Sequence, residues 1–171
     1  MTNETMSKLE TGKGKYHRLL ERRNEVLEIG RKNYEWGNDT NDAGREMDCI
    51  DHVFECERLL TYETIALFCK ENNIQKAVDI GCAYGHQSEC FLIHGIDYLG
   101  LDNALLPFWN REKYTFVTGV YPCSLPIQKG DLGVSVMCLT WNCYLYEKKK
   151  TLQAQCEALV RDFDHCILYI T

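Results

Sequence analysis

A short stretch in the middle of the chain combines an apolar run, a glycine-containing turn and a second apolar run. Ala77–Ile80 predicts a buried strand, and Gly81 and Gly85 permit a tight turn after it. A helix is predicted to follow over His86–His94, and Tyr98–Leu101 predicts a second strand. A strand, a helix and a strand joined by short turns form a parallel βαβ unit, so this stretch constrains the chain to an α/β fold.

The alternation of strands and helices continues after this stretch. Further strands are predicted over Tyr114–Val117, Leu132–Leu139 and Cys166–Ile170, with a helix over Lys148–Phe163. The run over residues 132–139 is apolar almost throughout, as expected of a central parallel strand. This half of the chain therefore predicts a mostly parallel sheet.

Residues 1–75 follow a different, helical pattern. An amphipathic helix is predicted over residues 15–36, where apolar side chains recur every three or four positions. A second helical region covers about residues 43–72, with Thr61 as the point at which it would divide, and Asn72 and Asn73 end it. We expect an N-terminal helical cap over 1–75 and a core over 76–171, which together form one compact domain.

Composition excludes several classes of protein. The 171 residues are 45% hydrophobic and 26% charged, as in an ordinary globular protein. No apolar run approaches the ~20 residues of a membrane span, and the first twelve residues carry no signal-peptide core. The net charge of −6 does not indicate nucleic-acid binding. We expect a cytoplasmic protein that makes no membrane contact.

Charge is distributed unevenly within the helical half. Residues 8–32 carry eight basic and four acidic side chains, whereas residues 39–64 carry eight acidic side chains against two arginines. A basic face for an anionic ligand would explain the first run. The favoured interpretation is that the two regions are solvated helices that attract one another.

The ten cysteines form no C-x-x-C pair, and without an export signal we expect no disulfide framework. Cys49, His52 and Cys56 are spaced so that they could ligate zinc along one helix face. No fourth ligand is evident, and we expect no metal. The favoured interpretation is a buried stripe of Cys49, Val53, Cys56 and Leu60 at helical spacing.

The end of the first strand is suited to a nucleoside. A helix that begins directly after a strand presents free backbone N–H groups. Asp102 ends the second strand, 23 residues after Asp79, and ligands of parallel sheets bind beyond the carboxyl ends of the strands. A carboxylate there can accept hydrogen bonds from both hydroxyls of a ribose. The stretch therefore predicts a site for a nucleoside-bearing cofactor.

Glycine spacing separates two classes of cofactor. A dinucleotide fingerprint requires G-x-G-x-x-G, whereas this turn is G-x-A-x-G from Gly81 to Gly85, with an acid two residues before it. This pattern resembles the first motif of class I S-adenosylmethionine-dependent methyltransferases. Leu125–Val134 is similar to the Leu-Pro-Phe stretch that leads into the fourth strand of that family. The resemblance covers about residues 62–171. It implies S-adenosylmethionine as cofactor and a Rossmann-like three-layer sandwich with about five strands in the order 3-2-1-4-5.

The resemblance also implies a role for each matching position. Asp79 would orient the turn and contact the methionine amino group, and the Gly81–Gly85 backbone would lie against the methionyl part. Asp102 would hold the ribose hydroxyls, with Asn103 beside the adenine. The strand-four end would line the floor near the methyl group. The implied cofactor-binding residues are Asp79, Gly81, Cys82, Ala83, Tyr84, Gly85, Asp102, Asn103, Gly119, Val120, Leu139 and Thr140.

Three features depart from the family pattern. Ala83 replaces the middle glycine of the first motif. Gly119 and Val120 stand where the family often has an acid that binds adenine, so a backbone group would make that hydrogen bond. The family sheet continues beyond strand five, whereas strand five here would be an exposed apolar edge. Dimerisation or the N-terminal helices would protect that edge, unless the chain is a fragment or a reduced form of the family.

The sequence indicates less about the methyl acceptor than about the cofactor. Trp141, Asn142 and Tyr144 are candidates to grip a flat acceptor, and Tyr34 and Trp36 are candidates to cover the pocket. Alternatively, these side chains pack the helical cap on the sheet.

His86 could act as a base but is expected to be a surface residue of the first helical turn, so the sequence names no catalytic residue. We expect methyl transfer to a small molecule or a modest macromolecular acceptor. The alternative is a non-catalytic protein with a reduced methyltransferase fold, which either binds S-adenosylmethionine or a nucleoside or serves as an interaction protein. An NAD-dependent oxidoreductase is least favoured.

Overall fold

The computed structural model describes residues 14–33, 46, 49–51, 53, 58–136, 138 and 149–169. The chain divides into two compact units, Met1–Glu63 and Thr64–Thr171. The elements in chain order are α1 (His17–Asn33), α2 (Arg58–Glu71), β1 (Lys76–Ile80), α3 (Ser88–Leu92), β2 (Asp97–Asp102), β3 (Thr115–Thr118), β4 (Leu132–Val136), α4 (Lys149–Asp162) and β5 (His165–Tyr169). No helix among the described residues is long and apolar enough to cross a membrane.

The larger unit contains a five-stranded parallel sheet in the order β3-β2-β1-β4-β5. β1 lies at the centre, where Val78 pairs with Leu99 of β2 on one side and Gly133 of β4 on the other. All five residues of β4 are buried, which explains its uninterrupted apolar sequence. The predicted Rossmann-like α/β fold and its strand order are confirmed.

Helix α4 covers one face of this sheet. Leu159 and Phe163 are buried in a cluster with side chains from β1 and β2. Phe163 lies so close to Gly133 that a Cβ atom at this glycine would be 2.8 Å from the ring. Tyr121, which follows β3, joins the same cluster and donates a hydrogen bond to Asp162 (3.0 Å).

Aromatic side chains cover the opposite face. Tyr98 contacts the rings of Phe91, Tyr114 and Phe116 at centroid distances of 5.1–5.8 Å. Phe108 stacks on Phe116 at 4.8 Å. Phe91 belongs to α3, so the short helix after β1 packs on this face and completes a three-layer arrangement.

The smaller unit is held together by ion pairs between regions of opposite charge. Arg22 of α1 binds Glu46 through two hydrogen bonds of 2.8 and 2.7 Å, and Arg23 binds Asp51 at 2.7 Å. Lys15 pairs with Glu63, which also accepts a hydrogen bond from Tyr16 (2.7 Å). The favoured interpretation of the two charge runs, helices that attract one another, is confirmed at these contacts.

Helix α2 differs from its prediction in two respects. It continues without a break through Thr61, and Leu60 is 63% exposed, so the proposed stripe through Leu60 is wrong. The buried positions of α2 are Leu59, Tyr62, Ile65, Ala66 and Cys69, which form a stripe one residue out of phase with Leu60. As predicted, the helix ends at the two asparagines, where Asn73 has a φ of +57°.

Two further elements are shorter than predicted. β4 does not extend to Leu139, because Cys138 already has helical backbone geometry. The helix after β1 begins at Ser88 rather than His86, since the backbone is still turning at residues 86 and 87. Apolar character alone did not reveal either boundary.

A substitution at Gly100 tests how closely side chains pack on the face of the sheet that the aromatic residues cover. A Cβ atom at this position would lie 2.6 Å from Phe116 and 2.7 Å from the Cys82 sulfur. We expect Gly100→Ala to lower the free energy of unfolding by about 2 kcal/mol, since the well-packed neighbours must move. Urea unfolding followed by circular dichroism measures the change.

Gly119→Ala is the matched control, because the nearest atoms to its Cβ would be at an ordinary 3.6 Å. We expect its stability to stay within about 0.5 kcal/mol of the parent. Equal losses in the two variants would contradict the described packing around Gly100.

Candidate functional site

The turn after β1 is held against β2 by its backbone. The N–H groups of Gly81 and Cys82 both donate to the carbonyl of Leu101, at 2.7 and 3.1 Å. The Gly85 N–H donates to the carbonyl of Cys82 (2.9 Å) and closes the turn. Gly81 and Gly85 have φ values of +84° and +74°, which favour glycine.

Close contacts are a second reason why glycine is required at both positions. A Cβ atom at Gly81 would lie 2.0 Å from the sulfur of Cys138, and one at Gly85 would lie 2.4 Å from the ring of Phe116. Side chains of this protein therefore occupy the space next to the two Cα atoms. Cys138 in particular covers Gly81, where the resemblance would place the methionyl part of a cofactor.

Ala83 adopts a left-handed conformation that usually requires glycine. Its φ is +48°, and its N–H donates to Oδ2 of Asp102 at 2.8 Å. For a residue with a Cβ atom, this conformation costs about 1 kcal/mol. The hydrogen bond to a carboxylate offsets that cost and explains how alanine replaces the middle glycine.

Asp102 connects three loops at the carboxyl edge of the sheet. Besides binding Ala83, its carboxylate accepts a hydrogen bond from the Ala104 N–H through Oδ1 (3.0 Å). Its backbone carbonyl accepts from the Gly119 N–H (2.7 Å). The side chain is partly exposed, and each carboxylate oxygen has a further lone pair. Asp102 can therefore still accept hydrogen bonds from a ligand.

Asp79 lies beneath the turn and is fully buried. Its Oδ2 accepts hydrogen bonds from the amide of Gln87 (2.7 Å) and from the hydroxyl of Tyr98 (2.6 Å). The Gln87 amide also donates to the carbonyl of Cys82 (2.9 Å). Asp79 thus orients the turn through Gln87, while a contact with a cofactor amino group stays a prediction.

His86 is buried, with 1% of its surface exposed, so the expectation of a surface residue is wrong. Its ring stacks on Tyr84 at a centroid distance of 5.8 Å and contacts Trp109 at 6.3 Å. The backbone N–H of Trp109 donates to the carbonyl of Tyr84 (2.7 Å). The loop after β2 therefore folds back over the turn and removes His86 from solvent.

The same loop buries further polar groups. The Asn110 amide donates to the Ser88 hydroxyl (3.0 Å) and to the Glu89 carboxylate (3.1 Å), and all three residues are at most 3% exposed. These bonds supply the partners that buried polar groups require.

The loops after β2 and β3 leave a mixed polar and apolar rim beside Asp102. Asn103 is exposed, and the apolar side chains of Leu105 and Val120 are 88% and 66% exposed. A partly exposed carboxylate next to such side chains suits a ligand with a sugar and a flat apolar ring.

Two thiols at the turn have perturbed acidity. Burial, with the charges of Asp79 and Asp102, raises the pKa of Cys82 well above its ordinary value. Burial also raises the pKa of Cys138 to about 12, with the same two carboxylates contributing. Both thiols are therefore protonated at neutral pH, and neither is suited to act as a nucleophile or a base.

The structure brings together most of the predicted cofactor residues. Asp79, the turn from Gly81 to Gly85, Asp102, Asn103, Gly119 and Val120 all lie at the carboxyl ends of β1, β2 and β3. Seven predicted positions lie outside the described residues, namely Leu139, Thr140, Tyr34, Trp36, Trp141, Asn142 and Tyr144. The zinc hypothesis also depends on His52 and Cys56, which lie outside them.

Sequence reasoning missed Gln87, Tyr98, Trp109 and Cys138. Tyr98 lies on β2, next to β1, and its side chain is on the same face of the sheet as that of Asp79. The two-residue period of side chains along a strand could have indicated this contact. Trp109 and Cys138 reach the turn only through the tertiary fold, so local sequence carries no signal for them.

Comparisons with known proteins find similarity among solved structures. No protein-family model and no curated protein sequence matches the chain. Its structure is similar to the crystal structure of the plantazolicin methyltransferase BpumL in complex with a monoazolic desmethylPZN analog and SAH, with a TM-score of 0.47 and 16% identity. The similarity covers 86% of this chain and 58% of the methyltransferase chain, so this chain spans little more than half of that length.

Replacing Gln87 tests whether its hydrogen bonds stabilise the turn after β1. Gln87→Ala removes hydrogen bonds from the buried Asp79 carboxylate and the Cys82 carbonyl. We expect a loss of about 3 kcal/mol in the free energy of unfolding, measured in urea, because a hydrogen bond to a charged group contributes the most. Gln128→Ala, at an exposed position, is the control and should change stability by less than about 0.5 kcal/mol.

The raised pKa of the Cys138 thiol predicts how the stability of the protein changes at alkaline pH. Its pKa is raised in the folded protein, so its contribution to stability is complete below the ordinary value of 9.0 and is lost as pH rises toward about 12. Between pH 9 and 11, the stability of the parent should fall more steeply than that of Cys138→Ser, by about 1 kcal/mol per pH unit. Unfolding curves across this range measure the difference. Parallel profiles would show that the thiol is not buried in the folded protein.

Proposed function

We propose that the chain binds S-adenosylmethionine at the carboxyl edge of its sheet and transfers a methyl group to a small molecule or a modest macromolecular acceptor. One observation supports this most. The partly exposed carboxylate of Asp102 is fixed by the Ala83 and Ala104 N–H groups beside the G-x-A-x-G turn. Both of its oxygens keep acceptor capacity for a ribose diol.

The described residues fit the nucleoside part of this cofactor. Asp102 would hold the ribose hydroxyls, and Asn103, Gly119 and Val120 would lie beside the adenine. The exposed side chain of Val120 offers apolar surface to a purine, and its loop offers backbone groups in place of an acid. When bound, S-adenosylmethionine supplies an electrophilic methyl group on a sulfonium centre.

The methionyl part is less well accommodated by the described conformation. Cys138 covers Gly81, so this side chain must move before a ligand can lie against the Gly81 backbone. Leu139 and Thr140 remain the proposed floor of the site, and Tyr34, Trp36, Trp141, Asn142 and Tyr144 remain candidates for acceptor binding. The cytoplasmic location also stays a prediction.

Binding without catalysis is the second candidate function. Methyl transfer to many acceptors requires a base, but Cys82 and Cys138 are protonated at neutral pH and His86 is buried. These observations favour a protein that holds a sulfur nucleoside without reacting it. They concern only the described part of the chain.

Calorimetric titration with S-adenosylmethionine, S-adenosylhomocysteine and NAD tests the cofactor. We expect both sulfur nucleosides to bind and NAD not to bind. Asp102→Ala should weaken binding at least about tenfold, since two hydrogen bonds to the ribose are lost. If neither sulfur nucleoside binds, the proposal is wrong.

Asp97→Ala is the matched control, because Asp97 is an exposed carboxylate at the other end of the same strand. It should leave binding unchanged. Asp102→Asn provides a second variant with the shape of the parent, and thermal unfolding checks that each variant is folded. Incubation with labelled S-adenosylmethionine and cell extract then separates an enzyme from a binding protein, because only an enzyme labels an acceptor.

A further inference from the structure

Asn110 combines a left-handed backbone with a buried side chain. It lies between β2 and β3, its φ is +56°, and only 3% of its surface is exposed. Asparagine tolerates this conformation better than most residues with a Cβ atom, and it often adopts it just after a helix. Asn73 is such a case, since it follows α2 with a φ of +57° and is exposed. Asn110 differs from Asn73 in directing its amide into the protein.

The Asn110 amide connects its loop to the helix after β1. It donates to the Ser88 hydroxyl (3.0 Å) and to the Glu89 carboxylate (3.1 Å), both at the start of α3. Glu89 is itself 3% exposed, and a donor to a buried carboxylate is strongly stabilising. The backbone carbonyl of Asn110 accepts from the N–H groups of Lys113 and Tyr114 (2.9 and 3.1 Å). One residue therefore fixes both the loop on α3 and the turn that leads into β3.

The other end of this loop is attached to the candidate site. The Asp102 carboxylate accepts hydrogen bonds from Ala104 in the loop and from Ala83 in the turn after β1. Near the far end of the loop, the backbone N–H of Trp109 donates to the Tyr84 carbonyl in the same turn (2.7 Å). Residues 103–109 are thus bound to the turn at both ends, and the position of this loop influences how the Asp102 carboxylate is oriented.

We propose that Asn110 is a positioning residue of the candidate site, which holds the 103–109 loop against α3 and thereby fixes the Asp102 carboxylate for a ligand. Its own side chain is buried on α3 and acts only through the loop. Loss of the amide frees the loop to move relative to the turn, so the carboxylate samples more orientations and a ligand must order it. The inference rests on the proposed function only for the identity of the ligand.

Amide hydrogen exchange measured by NMR tests the positioning without any ligand. In Asn110→Gly, we expect the N–H groups of Ala83 and Ala104 to exchange at least about tenfold faster than in the parent, because local opening becomes easier. The amides of β4 should keep their rates. Glycine adopts a positive φ without strain, so this variant removes the side-chain hydrogen bonds and leaves the backbone conformation accessible.

Asn73→Gly is the matched control, because it makes the same substitution at nearly the same φ on an exposed residue. It should leave the exchange of Ala83 and Ala104 unchanged. If Asn110→Gly leaves both rates unchanged, or accelerates every amide of the sheet equally, Asn110 has no positioning role. Ser88→Ala removes one acceptor of the amide and decides the question in the same way if the glycine variant does not fold.

Calorimetric titration with S-adenosylhomocysteine measures the effect on the ligand. We expect Asn110→Gly to bind at least about tenfold more weakly than the parent and Asn73→Gly to bind equally well. Equal affinity of Asn110→Gly and the parent would overturn the positioning role. If the parent itself does not bind the probe, the proposed function is wrong, while the exchange rates still decide whether Asn110 fixes the Asp102 carboxylate.

Discussion

The structure of the turn depends on the solvation of one buried carboxylate. Asp79 is removed from water entirely, which would cost several kcal/mol without hydrogen-bond donors. The donors come from two different elements, Tyr98 on β2 and Gln87 just before α3. Because Gln87 also binds the Cys82 carbonyl, the position of β1 relative to β2 determines the shape of the loop between β1 and α3.

The two acids of the motif therefore have different roles in the described structure. Asp79 lies inside, where its hydrogen bonds join β1, β2 and the turn. Asp102 is partly exposed, and backbone N–H groups fix its orientation while each of its oxygens keeps a further lone pair. The inner carboxylate provides rigidity, and the outer one provides an oriented acceptor. Such preorganisation reduces the ordering that a ligand must induce.

The sequence predicted all five strands, because apolar runs separated by turns are local signals, and the resemblance to a known family implied their order. The prediction of burial from sequence failed where a residue is covered by others that are distant along the chain. His86 was expected at the surface, yet Trp109, more than twenty residues away, packs against its ring. The glycines were recognised as turn formers, but the contacts of Gly81 with Cys138 and of Gly85 with Phe116 could not be inferred from spacing.

Phe116 has a consequence for the dynamics of the site. It belongs to β3, which is an outer strand of the described sheet, and its ring covers both Gly85 in the turn and Gly100 in β2. Outer strands open more readily than central ones in native-state hydrogen exchange. Each transient opening of β3 would withdraw the ring from both glycines and leave two flexible backbone positions uncovered. The mobility of the turn therefore depends on the opening of a strand that does not contain the motif.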